Sequence, residues 1–179
     1  WEERSVILLK VMGCGLIAAG SIGLGMWYRQ QYAGRIYHVR QLVAILDMMM
    51  SEVRYSKATL PECCNKLADR LDEPYRDTFH NIWEQMSSNT GRTFAGAFSD
   101  GMKDCFKQLP LEKDEITLFL EFAGSCGYGD STMQLVSMER YRERLKQLSE
   151  KLQSESAEKG KMAVGLGTLG GLLLMIILW

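Results

Sequence analysis

The residue types most suited to catalysis or metal binding are five cysteines and two histidines. Cys63 and Cys64 are adjacent, so on a helix their side chains point about 100° apart. A redox pair needs C-x-x-C spacing, and zinc half-sites need a similar gap between ligands. His38 and His80 fall on different predicted helices, without ligand spacing around either. We predict that Cys63 and Cys64 are small core residues, that the histidines are structural or surface residues, and that no metal is bound.

Two glycine patterns resemble the fingerprint of dinucleotide-binding enzymes. They run from Gly165 to Gly170 and from Gly13 to Ala18. The fingerprint requires a preceding strand and a helix start that is open to phosphate, whereas both patterns lie in uncharged apolar stretches. The sequence also contains no G-x-S-x-G elbow and no P-loop. We therefore predict that the protein is not an enzyme and uses no cofactor.

Two polar clusters remain as candidate partner-binding surfaces. The first ends an amphipathic helix and consists of Glu52, Arg54 and Tyr55. The second gives a later helix an acidic beginning and flank, and it consists of Glu112, Asp114, Glu115 and Glu121. Acids near a helix start complement the helix dipole, and charge runs usually form a solvated face. A docking face for a partner protein is the functional alternative to such solvation.

Uncharged apolar stretches lie at both ends of the chain, over 11–28 and 162–179. Each has roughly 18 residues, and a helix needs roughly 17 to 25 to cross a bilayer. We predict transmembrane helices within 1–31 and 161–179, with a cytoplasmic domain over 32–160 between them. A cleaved secretory signal is the alternative for the first stretch. Against it, that stretch runs without a break into an amphipathic helix.

The flanking charges predict how the chain is oriented in the cell membrane. Basic residues crowd the inner flanks, from Arg29 to Arg40 and from Arg144 to Lys161, whereas Arg4 and Lys10 lie outside. Under the positive-inside bias, the middle of the chain is cytoplasmic. An odd number of cysteines fits a reducing compartment.

Small residues recur at intervals of four within both apolar stretches. They are Gly15, Ala19 and Gly23 in the first and Ala163, Gly167 and Gly171 in the second. Such ridges let transmembrane helices approach closely, so we predict packing there against other membrane helices. The alternative is that these residues face lipid.

The middle of the chain predicts an all-α fold. Apolar residues recur at threes and fours throughout, and no run alternates at period two. We expect a bundle of about six helices, the first and last of which continue into the apolar ends. With a formal net charge of −1, the chain lacks the excess of basic residues that is typical of nucleic-acid-binding proteins.

Capping residues predict where several of these helices begin and end. Thr59 lies three residues before Glu62, which is a capping-box spacing. Asp72 is expected to cap the next helix with Pro74 in its first turn, and Asp130 to cap the last. The chain is expected to break at 89–91 and the fifth helix to end at Gly124, Gly127 and Gly129. The apolar stripe of the last helix is predicted as Met133, Val136, Met138, Tyr141, Leu145, Leu148 and Leu152.

Several segments also match a known protein family. They are Arg40-Gln41-Leu42, the Glu52 to Tyr55 segment, Thr59-Leu60, Leu120 to Gly124 with Gly127, Asp130 and Gln134, Glu158 to Met162, and Gly170 to Leu174. In these segments and in its order of span, domain and span, the chain resembles the stage III sporulation protein AB family of endospore formers. The cytoplasmic domain of that family is similar to the platform F proteins of type II secretion and type IV pilus machines.

This resemblance implies a scaffold in the trans-envelope complex that links mother cell and forespore and supports late forespore gene expression. The implied partners are a cytoplasmic ATPase similar to stage III sporulation protein AA, other membrane subunits and the lipid bilayer, with self-association left open. One alternative is a platform subunit of an ordinary secretion or pilus system, although those subunits usually carry two copies of the domain. The alternative from another class is a membrane-tethered enzyme or thiol sensor that uses Cys63, Cys64, Cys105 or Cys126.

Overall fold

The computed structural model describes residues 2–88, 91–126 and 131–178. The chain divides into two compact units. One consists of Trp1–Gly34 with Lys151–Trp179, and the other of Arg35–Glu150. We call the second unit the bundle.

The described residues form six α-helices and one short π-helix, without a strand. The bounds are α1 Glu2–Ser51, the π-helix Glu52–Ser56, α2 Leu60–Ala68, α3 Tyr75–Ser87, α4 Phe94–Phe106, α5 Lys113–Cys126 and α6 Ser131–Leu178. The predicted all-α class is confirmed. So is the prediction that the first and last helices continue without a break into the apolar ends of the chain.

Over the part of the chain that is described, none of the helices is both long enough and apolar enough to cross a bilayer. The two transmembrane helices therefore stay predictions.

The core of the bundle combines the apolar face of α1 with a cluster of phenylalanines. The cluster is centred on Phe98, whose ring centroid lies 5.9 Å from that of Phe79, 5.6 Å from that of Phe119 and 5.7 Å from that of Phe122. The pairs with Phe79 and Phe122 are edge-to-face. Such aromatic pairs contribute about 0.5 to 1.5 kcal/mol each beyond area burial. The α1 residues Val39, Leu42, Ile45, Leu46 and Met49 are fully buried. Apolar residues that recur at threes and fours thus form the buried face of α1, as such a pattern predicts.

The beginning of α2 agrees with the prediction. Glu62 reaches back and accepts hydrogen bonds from the Thr59 backbone N–H at 2.8 Å and from its hydroxyl at 3.0 Å. This contact satisfies a donor that a helix start would otherwise leave without a partner. The capping box expected from the Thr59 and Glu62 spacing is therefore confirmed.

The beginning of α3 corrects the prediction for Asp72. The helix starts at Tyr75 with Pro74 as its N-cap, so Pro74 lies outside the first turn. Asp72 takes part through its backbone carbonyl, which accepts from the N–H groups of Tyr75 and Arg76 at 3.1 Å each. Its carboxylate instead lies 3.7 Å from the Arg76 guanidinium. No side chain caps the start of α3 by a hydrogen bond, so the Asp72 carboxylate does not cap it.

The apolar stripe of α6 is correct in its later part and wrong at its start. Met138 and Leu145 are fully buried, but Met133 and Val136 are 69% and 58% exposed. One turn before Met138, the partly buried positions are 134 and 135. The helix has apolar residues on two sides, so spacing alone did not show which side faces the core.

Two other predictions on helix ends have different outcomes. The helix α5 continues to Cys126, so Gly124 lies inside it and does not end it. Asp130, Gly127, Gly129, Asn89 and Thr90 lie outside the described residues, and the predictions made for them stay predictions.

In the first unit, α1 and α6 meet at Tyr32 and Lys159. The ammonium of Lys159 donates to the Tyr32 hydroxyl at 2.5 Å and lies 5.0 Å from the centroid of its ring. A cation near an aromatic ring is attracted to it electrostatically. Both residues lie next to the apolar ends of their helices.

Two helical glycines form a matched test of bundle packing. A Cβ added at Gly101 would lie 2.8 Å from Cγ1 of Ile82, whereas one added at Gly124 would meet nothing within 4 Å. We expect Gly101→Ala to lower the free energy of unfolding by about 1 to 3 kcal/mol through overpacking. Gly124→Ala should raise it by about 0.5 to 1 kcal/mol, because alanine restricts the unfolded chain. Thermal unfolding followed by circular dichroism measures both, and shifts of the same sign would contradict this packing.

Candidate functional site

The acidic cluster at the start of α5 is divided between the interior and the surface. Glu115 is fully buried, and its carboxylate reaches back to accept from the backbone N–H of Glu112 at 2.6 Å. The Glu112 carbonyl in turn accepts from the Ile116 N–H at 3.2 Å. Glu112 and Glu115 therefore hold the N-cap and N3 positions, where a glutamate that reaches back satisfies a free backbone donor.

The partner of Glu115 comes from a distant part of the sequence. Arg35 of α1 donates from Nε to Glu115 Oε1 at 2.7 Å, and its Nη2 also contacts that oxygen. The Nη1 of the same guanidinium pairs with Glu112. Hydrogen bonds between ionised groups are roughly twice as strong as neutral ones. Arg35 thus neutralises a buried carboxylate and fixes the start of α5 against α1.

The other acidic residues of the cluster remain on the surface. Glu112, Asp114 and Glu121 are exposed, and we call these three residues the acidic rim. The side chains of Asp114 and Glu121 make no hydrogen bond or ion pair with any residue that the structure describes. The rim is therefore the part of the predicted cluster that a partner could contact, while Glu115 has a structural position.

The second polar cluster is divided in the same way. Glu52 is only 6% exposed, and its carboxylate accepts from Lys66 Nζ at 2.7 Å and lies 3.2 Å from Nη2 of Arg70. The hydrogen bond from Lys66, followed by one from Ser56, holds the pKa of Glu52 below its ordinary value. Arg54 and Tyr55 lie on the surface, where Tyr55 is 79% exposed. Glu52 thus ties the π-helix to α2, and its two neighbours face solvent.

A third ion pair connects α1 to α6. Arg142 donates from Nε to Oδ1 of Asp47 at 2.6 Å and from Nη1 to Glu139 at 3.0 Å. Ion pairs therefore join α1, or the π-helix that continues it, to α2, α5 and α6. The sequence reasoning missed these connections, because the paired residues are up to 95 positions apart.

The cysteines give the thiol-sensor alternative no support. Cys63, Cys64, Cys105 and Cys126 are free and buried. Burial raises the pKa of Cys63 to about 11 and that of Cys126 to about 12. Reactive cysteines have thiolate character at neutral pH, which these groups lack. The prediction that Cys63 and Cys64 are core residues is confirmed.

The histidines also lie in structural surroundings. Nδ1 of His38 is 3.2 Å from the Tyr75 hydroxyl, and partial burial lowers the pKa of this histidine. His80 is exposed, with Nε2 3.5 Å from a Glu84 carboxylate oxygen. Over the described ranges, no group of His, Cys, Asp or Glu side chains could hold a metal ion.

The small-residue ridges are described only in part. Gly15, Ala19 and Gly23 are exposed on α1, and a Cβ added at either glycine would meet nothing within 4 Å. The side chains of Ala163, Gly167 and Gly171 lie outside the described part of the chain. Packing by both ridges therefore stays a prediction.

The Arg35 to Glu115 pair makes a direct prediction about stability. Removing Arg35 leaves a buried carboxylate without its cation, which costs about 3 to 5 kcal/mol when a buried pair is broken. We therefore expect Arg35→Ala to lower the midpoint of chemical unfolding strongly. Asp114→Ala is the control, since an exposed residue without a partner among the described residues should change stability by less than about 0.5 kcal/mol.

A second variant separates the pair from the packing around it. Arg35→Met combined with Glu115→Leu replaces both charges by apolar groups and should recover part of the lost stability. If Arg35→Ala unfolds at the same denaturant concentration as Asp114→Ala, the pair does not stabilise the bundle.

Known proteins with similar sequences identify the family of this chain. The family model described as stage III sporulation protein AB matches residues 10–179. Stage III sporulation protein AB of Bacillus subtilis (strain 168) is 25% identical over 173 residues, which cover 96% of this chain and 99% of that protein. A solved structure of stage III sporulation protein AB (SpoIIIAB) matches with a TM-score of 0.63 and 20% identity, over 69% of this chain and 97% of the other.

The structural match supports the all-helical fold, and the sequence matches confirm the resemblance found from sequence motifs. Because the family match extends from residue 10 to residue 179, the chain belongs to the stage III sporulation protein AB family, a family of sporulation proteins.

Proposed function

We propose that this chain is a non-enzymatic, membrane-anchored scaffold in the complex that links mother cell and forespore. In this role it couples a cytoplasmic ATPase, similar to stage III sporulation protein AA, to the membrane subunits of the complex. The observation that carries the proposal is the family match over residues 10–179. The division of both polar clusters into a buried ion pair and exposed neighbours supports it, because a scaffold needs a firm fold beneath its contact surfaces.

Anchoring in the cell membrane is supported by the apolar side chains that α1 exposes. Those described in its first half are Met12, Leu16, Ile22, Met26 and Trp27, each more than half exposed. Large apolar side chains grouped on one surface mark a contact with protein or lipid. The basic residues that flank the apolar ends support a cytoplasmic position of the bundle in this proposed arrangement.

The acidic rim is the proposed docking surface for the ATPase. Its carboxylates are exposed, and Asp114 and Glu121 have no cation partner among the described residues. Charged groups at the edge of an interface steer association and select partners by complementary potential. The rim therefore fits a basic surface on the partner. Arg35, which pairs with Glu115, also pairs with Glu112 and holds it at one end of the rim.

The exposed face formed by Arg54 and Tyr55 is the competing docking surface. Arginine and tyrosine are enriched among the residues that carry most of the energy of protein interfaces. Tyr55 is among the most exposed large side chains described. A partner that uses this face would depend on aromatic and cationic contacts, and not on the acidic rim.

Charge reversal distinguishes the two surfaces. Asp114→Lys with Glu121→Lys should leave the helical circular dichroism signal unchanged, because exposed charges contribute under about 1 kcal/mol each. The same double variant should weaken binding of the full-length chain to the ATPase, since like charges across an interface can cost several kcal/mol. Binding can be measured by co-purification and by titration in detergent solution. Glu115 is left unchanged because it is buried.

The matched comparison is Arg54→Glu with Tyr55→Ala. If this variant alone loses binding, the docking surface is the Arg54 and Tyr55 face. If both double variants fold, bind the ATPase and support sporulation as the wild type does, neither surface docks the ATPase and the proposed coupling is wrong.

A further inference from the structure

His38 of α1 connects that helix to the start of α3 through a half-buried contact. Its Nδ1 lies 3.2 Å from the hydroxyl oxygen of Tyr75, which is the first residue of α3 and is only 4% exposed. The ring of Tyr37 packs edge-on against the imidazole, with the two ring centroids 5.1 Å apart. We call the hydrogen bond between His38 and Tyr75 the α1–α3 latch.

The two side chains of the latch depend on each other. Over the described residues, the Tyr75 hydroxyl has no hydrogen-bond partner other than His38, and the imidazole has none other than Tyr75. A neutral imidazole carries one donor nitrogen and one acceptor nitrogen, and a phenol hydroxyl can donate. The tautomer that satisfies the buried hydroxyl is therefore the one whose Nδ1 accepts its hydrogen.

Protonation of His38 removes this acceptor. Both ring nitrogens of an imidazolium donate, so the Tyr75 hydroxyl can only accept from it, and the hydrogen of that hydroxyl loses its partner. An unsatisfied buried donor is costly, and burial also disfavours the charged imidazolium itself. This burial lowers the pKa of His38. Both effects favour the neutral histidine in the folded bundle.

The charges near the latch do not offset this cost. The titratable and charged groups on the segments that meet at or beside it are Arg35 and Tyr37 of α1, Asp72 and Glu73 before α3, Tyr75 and Arg76 of α3, Cys105 of α4, and Glu112 and Glu115 of α5. The four carboxylates pair with the two arginines, and none of the described carboxylates pairs with His38. Burial raises the pKa of the Cys105 thiol, which therefore stays neutral.

We propose that the α1–α3 latch is acid-sensitive, holding the start of α3 on α1 while His38 is neutral and releasing it when His38 is protonated. The folded bundle binds this proton less readily than the unfolded chain does. The stability that the latch contributes is fully present above the ordinary histidine pKa of 6.5, and it is lost as the pH falls from there through the lower pKa of the folded state. The inference concerns the bundle alone and does not depend on coupling to an ATPase.

The chain contains two histidines, so one can serve as the control for the other. His38→Gln keeps an acceptor for the Tyr75 hydroxyl but cannot be protonated. On acidification from about pH 7.5 to about pH 5.5, the midpoint of thermal unfolding should fall roughly 2 to 4 °C further for the wild type than for His38→Gln. His80→Gln changes an exposed histidine beside Glu84 and should retain the wild-type fall. Circular dichroism of the full-length chain in detergent solution measures all three midpoints.

A second variant tests the hydrogen bond itself. Tyr75→Phe removes the hydroxyl, so the neutral imidazole loses its bond, and the pKa of His38 measured by nuclear magnetic resonance should rise. Amide hydrogen exchange locates the effect in the bundle. In the wild type at about pH 5.5, the protection factors in the first turns of α3 should fall, while those of α5 should not.

The proposal is overturned if the unfolding midpoints of the wild type and His38→Gln fall equally on acidification. It is also overturned if His80→Gln removes the pH dependence instead. Should His38→Gln fail to fold, an unchanged pKa of His38 in Tyr75→Phe overturns it.

Discussion

The bundle depends on keeping two buried carboxylates paired with cations. Glu115 is fully buried against Arg35, and Glu52 is nearly so against Lys66 and Arg70. A buried charge without a partner is costly, so each carboxylate requires its cations to stay in place. Arg35 lies on α1 and Glu52 on the π-helix that continues it. The positions of α5 and α2 against this element therefore follow from the same electrostatic requirement.

This requirement also separates residues that hold the fold from residues that can bind partners. In each polar cluster one acid is buried and paired, and its neighbours in sequence face solvent. A rigid base beneath exposed charges reduces the ordering cost of association. The acidic rim and the Arg54 and Tyr55 face are the two surfaces that result. A scaffold that joins several proteins would use more than one of them.

The helices could be predicted because periodicity and capping act over a few residues. The spacing of Leu42, Leu46 and Met49 marks a buried helix face, and Thr59 with Glu62 marks a helix start. The burial of Glu115 could not be predicted, because an acid in a first turn also suits the helix dipole on the surface. Its cation lies 80 positions away. The exposure of Met133 and Val136 could not be predicted either. Spacing does not determine which side of an amphipathic helix meets the core.

The most direct test of this account is amide hydrogen exchange at Glu112, measured by nuclear magnetic resonance. The N–H of an N-cap residue has no acceptor within its own helix backbone, so protection there would come from the Glu115 carboxylate. The account predicts slow exchange of this amide in the wild type and fast exchange after Arg35→Ala, while the amides of α3 stay protected. Fast exchange at Glu112 in the wild type would contradict the claim that the buried pair fixes the start of α5.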